Sequence, residues 1–208
     1  MLTEQQIQDN RNRFLELVNG IEREGVDKER LIAQLNGSDF FEAPASTAFH
    51  GNYSGGLAEH SLNVCEIALD LHEMLSKRKP ELIELVPKDS LILATLLHDV
   101  CKANIYKTVT KKRQNSSGFW EAYDAYAVDY SQFPLGHGEK SVIILLRLGL
   151  DMTDDEIMAI RWHMTAWDLA FQNPEAKGNL NMAKNQCPLL TIVQNADGIA
   201  SALFEETR

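Results

Sequence analysis

Apolar residues recur at helical spacing over most of the chain. The first helix is predicted to start with a capping box, in which Thr3 is followed three residues later by Gln6. Its apolar side chains share one helical face; they are Ile7, Phe14, Val18 and Ile21. A second, short helix is predicted to start after Asp27 and to end at Gly37.

The middle of the chain passes from a loop into strongly apolar helices. Residues 38–56 contain a proline and several glycines, which are typical of a loop. A long amphipathic helix is predicted to begin near Leu57. The segment LILATLLHDV, which starts at Leu91, is apolar on nearly all sides and therefore predicts a central buried helix.

Residues 105–130 interrupt the helical pattern. A β-prone run begins at Ile105, the residues NSSG at 115–118 are typical of a turn, and an aromatic run follows from Phe119 to Tyr130. This order of strand, turn and strand predicts a β-hairpin inserted between helices.

Helical spacing resumes after Gly136. Thr153 and Glu156 form a second capping box, and the helix that they begin runs to His163. The final helix has Pro188 in its first turn. Its predicted apolar stripe consists of Leu189, Val193, Ala196, Ala200 and Phe204.

These elements predict an all-α fold, a helical bundle with one inserted β-hairpin. The sequence has no internal repeat and no long linker, so residues 1–208 are expected to form a single domain. Residues 1–37 would supply N-terminal helices, and residues 38–208 would form the core with the hairpin near 105–130.

Composition narrows the class without indicating an activity. Hydrophobic residues make up 44% of the chain and charged residues 24%, which is ordinary for a packed protein. No apolar run approaches the ~18 residues that a membrane span needs, and the start MLTEQQIQDN lacks a signal-peptide pattern. Three widely spaced cysteines without a CxxC pair suit reduced thiols, so we expect a cytoplasmic protein.

The net charge of −10 disfavours binding to long nucleic acid, because an acidic surface repels the phosphate backbone. A small anionic substrate remains compatible with this charge, since metal ions and a few lysines can make one cleft positive. Charge therefore restricts the size of the expected substrate and leaves its chemistry open.

Several metal-ligand residue types lie at the ends of the predicted helices or on their buried faces. Asp197 interrupts the apolar stripe of the last helix, where a carboxylate is costly unless it is paired or binds a cation. Taken singly, each histidine could cap a helix, and Asp197 could pair with Arg161 or Arg147. Taken together, they suggest one metal centre; the residues are His60, His98, Asp99, His137, His163 and Asp197.

The order and context of these residues resemble the HD superfamily of metal-dependent phosphohydrolases. The motifs are GGLAEHS at His60, LLHDVCK at His98, GHGEKS at His137, RWHM at His163 and NADGIAS at Asp197. The resemblance spans about residues 38–204, and its first motif is most similar to the HD portion of bacterial 3′-to-5′ exoribonucleases. The nucleic-acid-binding OB domain of that family is not found here, so long RNA is not the expected substrate.

The resemblance implies a dinuclear metal centre. His60, His98, Asp99 and Asp197 would hold one divalent ion, and Asp99 would bridge to a second ion held by His137 and His163. Imidazoles and carboxylates suit Mn, Fe, Co, Ni or Zn. A metal-activated hydroxide would then cleave a phosphomonoester or phosphodiester of a nucleotide or another small phosphorylated substrate.

Lys102 is the second residue with an implied catalytic role, beside Asp99. It matches the lysine of the HDxxK variant, which implies a cation that faces the substrate phosphate. A lysine that compensates the helix dipole is the alternative.

Other residues are expected to reach the substrate. His50 lies in a loop ten residues before His60 and is expected to contact substrate or a metal ligand. Trp162 and Trp167 flank His163 and could stack on a base, although core packing is the alternative. A basic run at residues 111–113 on the hairpin is either a solvated turn or a recruiting site for an anion.

Two rival functions remain open at this point. Some HD-fold proteins use a similar ligand set as a mixed-valence di-iron centre that oxidises a carbon–hydrogen bond. A non-catalytic nucleotide-sensing module is the other alternative, and the complete ligand set argues against it. Lys102 favours phosphate chemistry over the oxygenase.

Overall fold

The computed structural model describes residues 1–129, 131, 133, 135–165 and 174–205. Trp167 and the last position of the predicted hairpin, residue 130, lie outside the described residues. The described helices are α1 (Glu4–Asn19), α2 (Lys28–Asn36), α3 (Gly56–Ser76), α4 (Leu82–Leu85), α5 (Lys88–Leu97), α6 (His137–Arg147), α7 (Asp154–Trp162), α8 (Pro174–Gln186) and α9 (Pro188–Ile199). None of them is long and apolar enough to cross a bilayer.

Capping side chains determine where several helices start. The Thr3 hydroxyl accepts a hydrogen bond from the Gln6 backbone N–H, and the Gln6 side-chain oxygen accepts one from the Thr3 backbone N–H. Thr153 and Glu156 form the same reciprocal pair at the start of α7. Both predicted capping boxes are therefore confirmed, and each satisfies backbone donors that a helix start leaves free.

The inserted hairpin consists of strands β1 (Tyr106–Gln114) and β2 (Trp120–Val128). The strands are antiparallel, and Tyr106 lies opposite Val128 at the end nearest the helices. The turn closes with a hydrogen bond from the Asn115 amide to the Phe119 carbonyl. The predicted fold class, a helical bundle with one inserted hairpin, is thus confirmed.

The packing of the helices brings distant parts of the chain together. Helix α3 packs against α5 and α9, while α7 packs against α5, α6 and α9. Every residue of α5 from Ser90 to Leu97 is buried, as expected for a helix that is apolar on all sides. The ends of α5 and α7 and the start of α3 therefore face a common interior space.

The end of α9 departs from the predicted stripe. Leu189, Val193, Ala196 and Ala200 are buried, but Phe204 is 64% exposed, so its assignment to the stripe is wrong. Ala200–Phe204 forms a π-helical turn, which is wider than an α-helical turn and rotates the following residues away from the original face. The next residue, Glu205, is turned towards α3.

Candidate metal centre

The structure brings together all six residues predicted as metal ligands. Their possible donor atoms form overlapping groups in which every atom lies within 4.8 Å of the others. These groups are His60 with His98 and Asp99, His98 with His163 and Asp197, and Asp99 with Cys101 and His137.

Local helix geometry orients two of the imidazole rings. His98 directly follows α5, and its Nδ1 donates to the Thr95 carbonyl over 2.7 Å. His163 directly follows α7, and its Nδ1 donates to the Ile160 carbonyl over 2.7 Å. A carbonyl oxygen only accepts, so Nδ1 carries the proton in both rings and, in the neutral ring, Nε2 presents a lone pair to the interior.

Glu205 orients the third ring. His60 lies in the first helical turns of α3, and its Nδ1 is 2.9 Å and 3.0 Å from the two carboxylate oxygens of Glu205. The Glu205 side chain is 1% exposed and also accepts from the Asn63 amide. Burial alone would raise the pKa of Glu205, but the hydrogen bond from His60 brings it below its ordinary value. No local pattern in the sequence marks Glu205 as part of the site.

The inward-facing atoms lack the partners that burial requires. Nε2 of His60 is 3.1 Å from Nε2 of His98, so two ring nitrogens that tend to carry lone pairs face each other. Nε2 of His163 and Oδ1 of Asp99 are buried, have no hydrogen-bond partner among the described residues, and lie 3.6 Å apart. Such a set of buried acceptors is costly unless a cation lies between them. These nitrogen and oxygen atoms therefore fit the ligand shell of a divalent metal ion.

The charge balance of the cavity also suits a cation. His60, Asp99 and His163 line a cavity of about 620 Å³, and the charged side chains among its described lining are Asp99, Asp197 and Lys102. Glu205 adds another carboxylate behind His60. Burial would lower the pKa of His98, but the negative charge of Asp99 raises it. The same negative potential would attract a metal ion.

Asp99 and Lys102 form an ion pair inside the cavity. The Lys102 ammonium is 2.7 Å from Oδ2 of Asp99, and both residues are buried. Burial alone would raise the pKa of Asp99, but the charges of Lys102 and His98 hold it well below its ordinary value. Burial would lower the pKa of Lys102, but the Asp99 carboxylate raises it. Both groups therefore stay charged.

His137 differs from the other ligand candidates in its exposure. It is the first residue of α6 and is exposed at the edge of the cavity. The next residue, Gly138, lies so close to the Arg161 carbonyl that a Cβ atom there would overlap it. The glycine thus allows the start of α6 to approach the end of α7, which brings His137 near His163.

The comparison with known families agrees with this geometry. The profile described as HD domain matches residues 57–202, which include all six ligand candidates. The chain belongs to the HD-domain family. The resemblance to the HD superfamily that the motifs indicate is therefore confirmed. The division of the chain at residue 37 stays a prediction.

One curated relative of this HD domain is named as an enzyme. The chain is 36% identical over 89 residues to the dihydroneopterin 2′,3′-cyclic phosphate phosphodiesterase of Methanocaldococcus jannaschii. The aligned segment covers 43% of this chain and 32% of the relative, so the chain matches about a third of that protein's length. No solved structure gives a significant match.

His50 lies in the same cavity of the HD domain as the ligand candidates. Its ring centroid is 4.9 Å from that of His60, and its buried Nε2 has no hydrogen-bond partner in the part of the chain that the structure describes. Burial, followed by the neighbouring His60, lowers the pKa of His50. The structure thus places this residue where it can contact either a metal ligand or a substrate.

Trp162 is placed differently from the sequence expectation. It is the last residue of α7, packs against the hydrophobic core, and has the Arg161 guanidinium 4.1 Å from its ring centroid. It is absent from the described residues that line the cavity of the HD domain. This position favours the packing alternative over base stacking.

Cys101 is near the ligand candidates but is poorly suited to bind metal. Burial raises the pKa of its thiol to about 12, and metal ligation by cysteine requires the thiolate. In the group with Asp99 and His137, the carboxylate and the imidazole are therefore the better donors.

Proposed function

We propose that this chain is a metal-dependent phosphohydrolase that cleaves a phosphomonoester or phosphodiester of a nucleotide or another small phosphorylated substrate. The convergence of the Nε2 atoms of His60, His98 and His163 on the Asp99 carboxylate, at 3.7, 3.3 and 3.6 Å, carries this proposal. The activity for which the M. jannaschii relative is named supports hydrolysis of a phosphodiester in particular.

We assign the donor groups to two overlapping ion sites, following the resemblance of the motifs. In this proposal His60, His98, Asp99 and Asp197 hold one ion, and Asp99 bridges to a second ion held by His137 and His163. Mn, Fe, Co, Ni and Zn suit these nitrogen and oxygen donors. Bound ions would supply an activated water and polarise the phosphoryl oxygens of the substrate.

Side chains of the protein would stabilise the negative charge on the substrate that the ions do not neutralise. In the hydrolysis, the oxygen of water bonds to phosphorus, one phosphorus–oxygen ester bond breaks, and the departing oxygen takes up a proton. Lys102 would stabilise negative charge on the phosphoryl oxygens from its position beside Asp99. His50, whose Nε2 is buried and unpaired, would position the substrate by hydrogen bonding.

A metal measurement followed by a substrate panel tests the proposal. Metal content would be measured by mass spectrometry on the purified protein, and metal-loaded samples would then be given nucleoside cyclic phosphates, nucleoside monophosphates and bis(p-nitrophenyl) phosphate. We expect bound transition metal and release of a phosphomonoester or phosphate. An Asp99→Asn sample prepared in parallel controls for contaminating phosphatases.

The same samples distinguish the rival functions. Oxygen consumption by an iron-loaded sample without hydrolysis of any phosphoester would contradict the proposal and support an oxygenase. Nucleotide binding by a metal-loaded sample without turnover would support a sensing module.

A further inference from the structure

A second cleft adjoins the metal cavity along the β-hairpin. Its volume is about 580 Å³, and it lies between the hairpin and the loop that precedes α3. Thr47 lines both this cleft and the metal cavity. We name it the hairpin cleft and define it by Thr47, Ser54, Thr108, Lys111, Tyr123 and Tyr126.

One face of the hairpin continues from the metal cavity into the hairpin cleft. The paired residues Tyr106 and Val128 line the metal cavity, and the next pair on the same face, Thr108 and Tyr126, lines the hairpin cleft. Positions two residues apart on a strand are separated by about 6.6 Å. This separation is comparable to the distance that a sugar spans between a phosphate and a base.

On the face shared with the metal cavity, the hairpin cleft offers aromatic surface and hydrogen-bonding groups, because the cations Lys111 and Arg113 occupy the alternate positions of β1. Tyr126 provides a ring on the face that the cleft shares with the metal cavity, which suits stacking on a planar group. The charge of Arg113 is already engaged, because it lies 2.7 Å from a carboxylate oxygen of Glu121 and its guanidinium covers Tyr123. Asp124 adds an acceptor for a ring N–H group. These features suit a heterocycle better than a second phosphate.

We propose that the hairpin cleft is a subsite for an aromatic nitrogen heterocycle, joined by a sugar or polyol to the phosphoryl group that lies in the metal cavity. This inference rests on the proposed function and specifies its substrate class. Tyr126 supplies the stacking surface, since it lies on the hairpin face that both cavities share.

A ratio of two substrates tests the subsite. The kcat/KM for a nucleoside 2′,3′-cyclic phosphate is divided by that for glycerol 1,2-cyclic phosphate, which carries the same reacting group without a ring. Tyr126→Ala should lower this ratio about 5- to 100-fold, mainly through KM, because stacking on one base is lost. Tyr126→Phe keeps the ring and should retain most of the ratio.

Phe119→Ala is the matched control. Phe119 lies beyond the hairpin turn and is 72% exposed, and it is absent from the described lining of the cleft. This variant should leave the ratio unchanged. An unchanged ratio in Tyr126→Ala, with the fold verified by circular dichroism, would overturn the subsite, as would an equal loss with both substrates.

A binding measurement separates this inference from the proposed function. If the wild-type protein hydrolyses neither of these substrates nor any phosphoester of the panel, the proposed function fails, and the subsite is then tested with adenosine and guanosine by NMR titration. Weaker nucleoside binding in Tyr126→Ala, and not in Phe119→Ala, would support the subsite on its own. Equal binding by both variants and the wild-type protein would refute it.

Discussion

The interior and the edge of the metal centre are built differently. His60, His98, His163 and Asp99 are buried, and the three rings are held by hydrogen bonds from Nδ1. His137 is exposed at the start of α6, and no hydrogen bond of its ring is found among the described residues. Rings held in place lose little freedom on binding an ion. The interior should therefore bind its ion more tightly than the edge.

Asp99→Asn should have the largest effect, because Asp99 is shared by both proposed ion sites. The amide keeps the shape of the side chain but removes the negative charge between Lys102 and the histidines. We expect loss of both ions, measured by mass spectrometry of the dialysed protein, and loss of hydrolysis. Asp70→Asn, an exposed change on α3, is the control. Normal metal content in Asp99→Asn would remove the basis of the ligand assignment.

His137→Ala should affect the edge alone. We expect the ion of the interior to remain and the second ion to be lost, so that metal content falls from about two equivalents to about one. Calorimetric titration of the metal-free protein with Mn²⁺ or Zn²⁺ would resolve the two binding events. If both events weakened equally, the two parts of the centre would not differ as their burial suggests.

Lys102→Met should reduce turnover and leave both ions bound. Removal of one group that stabilises charge in a transition state typically lowers turnover by ~10²–10³, and methionine preserves most of the buried volume. Turnover and metal content must be measured on the same sample. Lys77→Met, on an exposed ion pair at the end of α3, is the control. Normal turnover with full metal content would refute the proposed role of Lys102 at the phosphate.

Glu205→Ala should produce the smallest of these effects. Loss of a carboxylate that orients a metal-binding histidine lowers metal affinity about 10- to 100-fold. Here the affinity should fall only for the ion that His60 binds. Glu205→Gln should recover part of the affinity, because its amide oxygen can still accept from Nδ1 of His60. Metal titration measures this effect, with Glu84→Ala on the exposed side of α4 as control. Equal affinity in all three variants would show that Glu205 does not act through His60.

Much of the fold could be predicted from local signals. Thr3, Thr153 and Pro188 each mark a helix start in the structure, because capping involves residues only a few positions apart. The apolar segment at Leu91 correctly predicts a central helix, since a helix without a polar face must be buried. The hairpin was also predicted, as its turn residues lie between two β-prone runs.

Other features depend on contacts that no local pattern encodes. Helix α8 was not predicted, because Leu180 and Ala183 are its only buried apolar residues among those described and they form too short a stripe. The exposure of Phe204 depends on a π-helical turn, which has no clear sequence signal. Glu205 meets His60 across 145 residues, so its role is visible only in the folded chain.

The order of the candidate residues along the chain resembles that of a known family. How these residues come together in space could not be derived from their spacing alone. The motifs identify His98 and Asp99 as ligand candidates, but the facing Nε2 atoms of His60 and His98 depend on how α3 packs against α5. The hairpin cleft likewise depends on how β1 and β2 lie against the loop before α3.

His60 and Glu205 are far apart in the sequence but in contact in the fold, and this affects how long the protein would survive in a cell. The two residues meet only when the start of α3 and the segment after α9 have both folded, so partly folded chains would lack the complete centre. An ion that binds the native state alone adds about 2.7 kcal/mol to the free energy of unfolding at 100 times its dissociation constant. Changes of this size alter the fraction of chains open to proteases. Metal supply would thus control the abundance of the protein as well as its turnover.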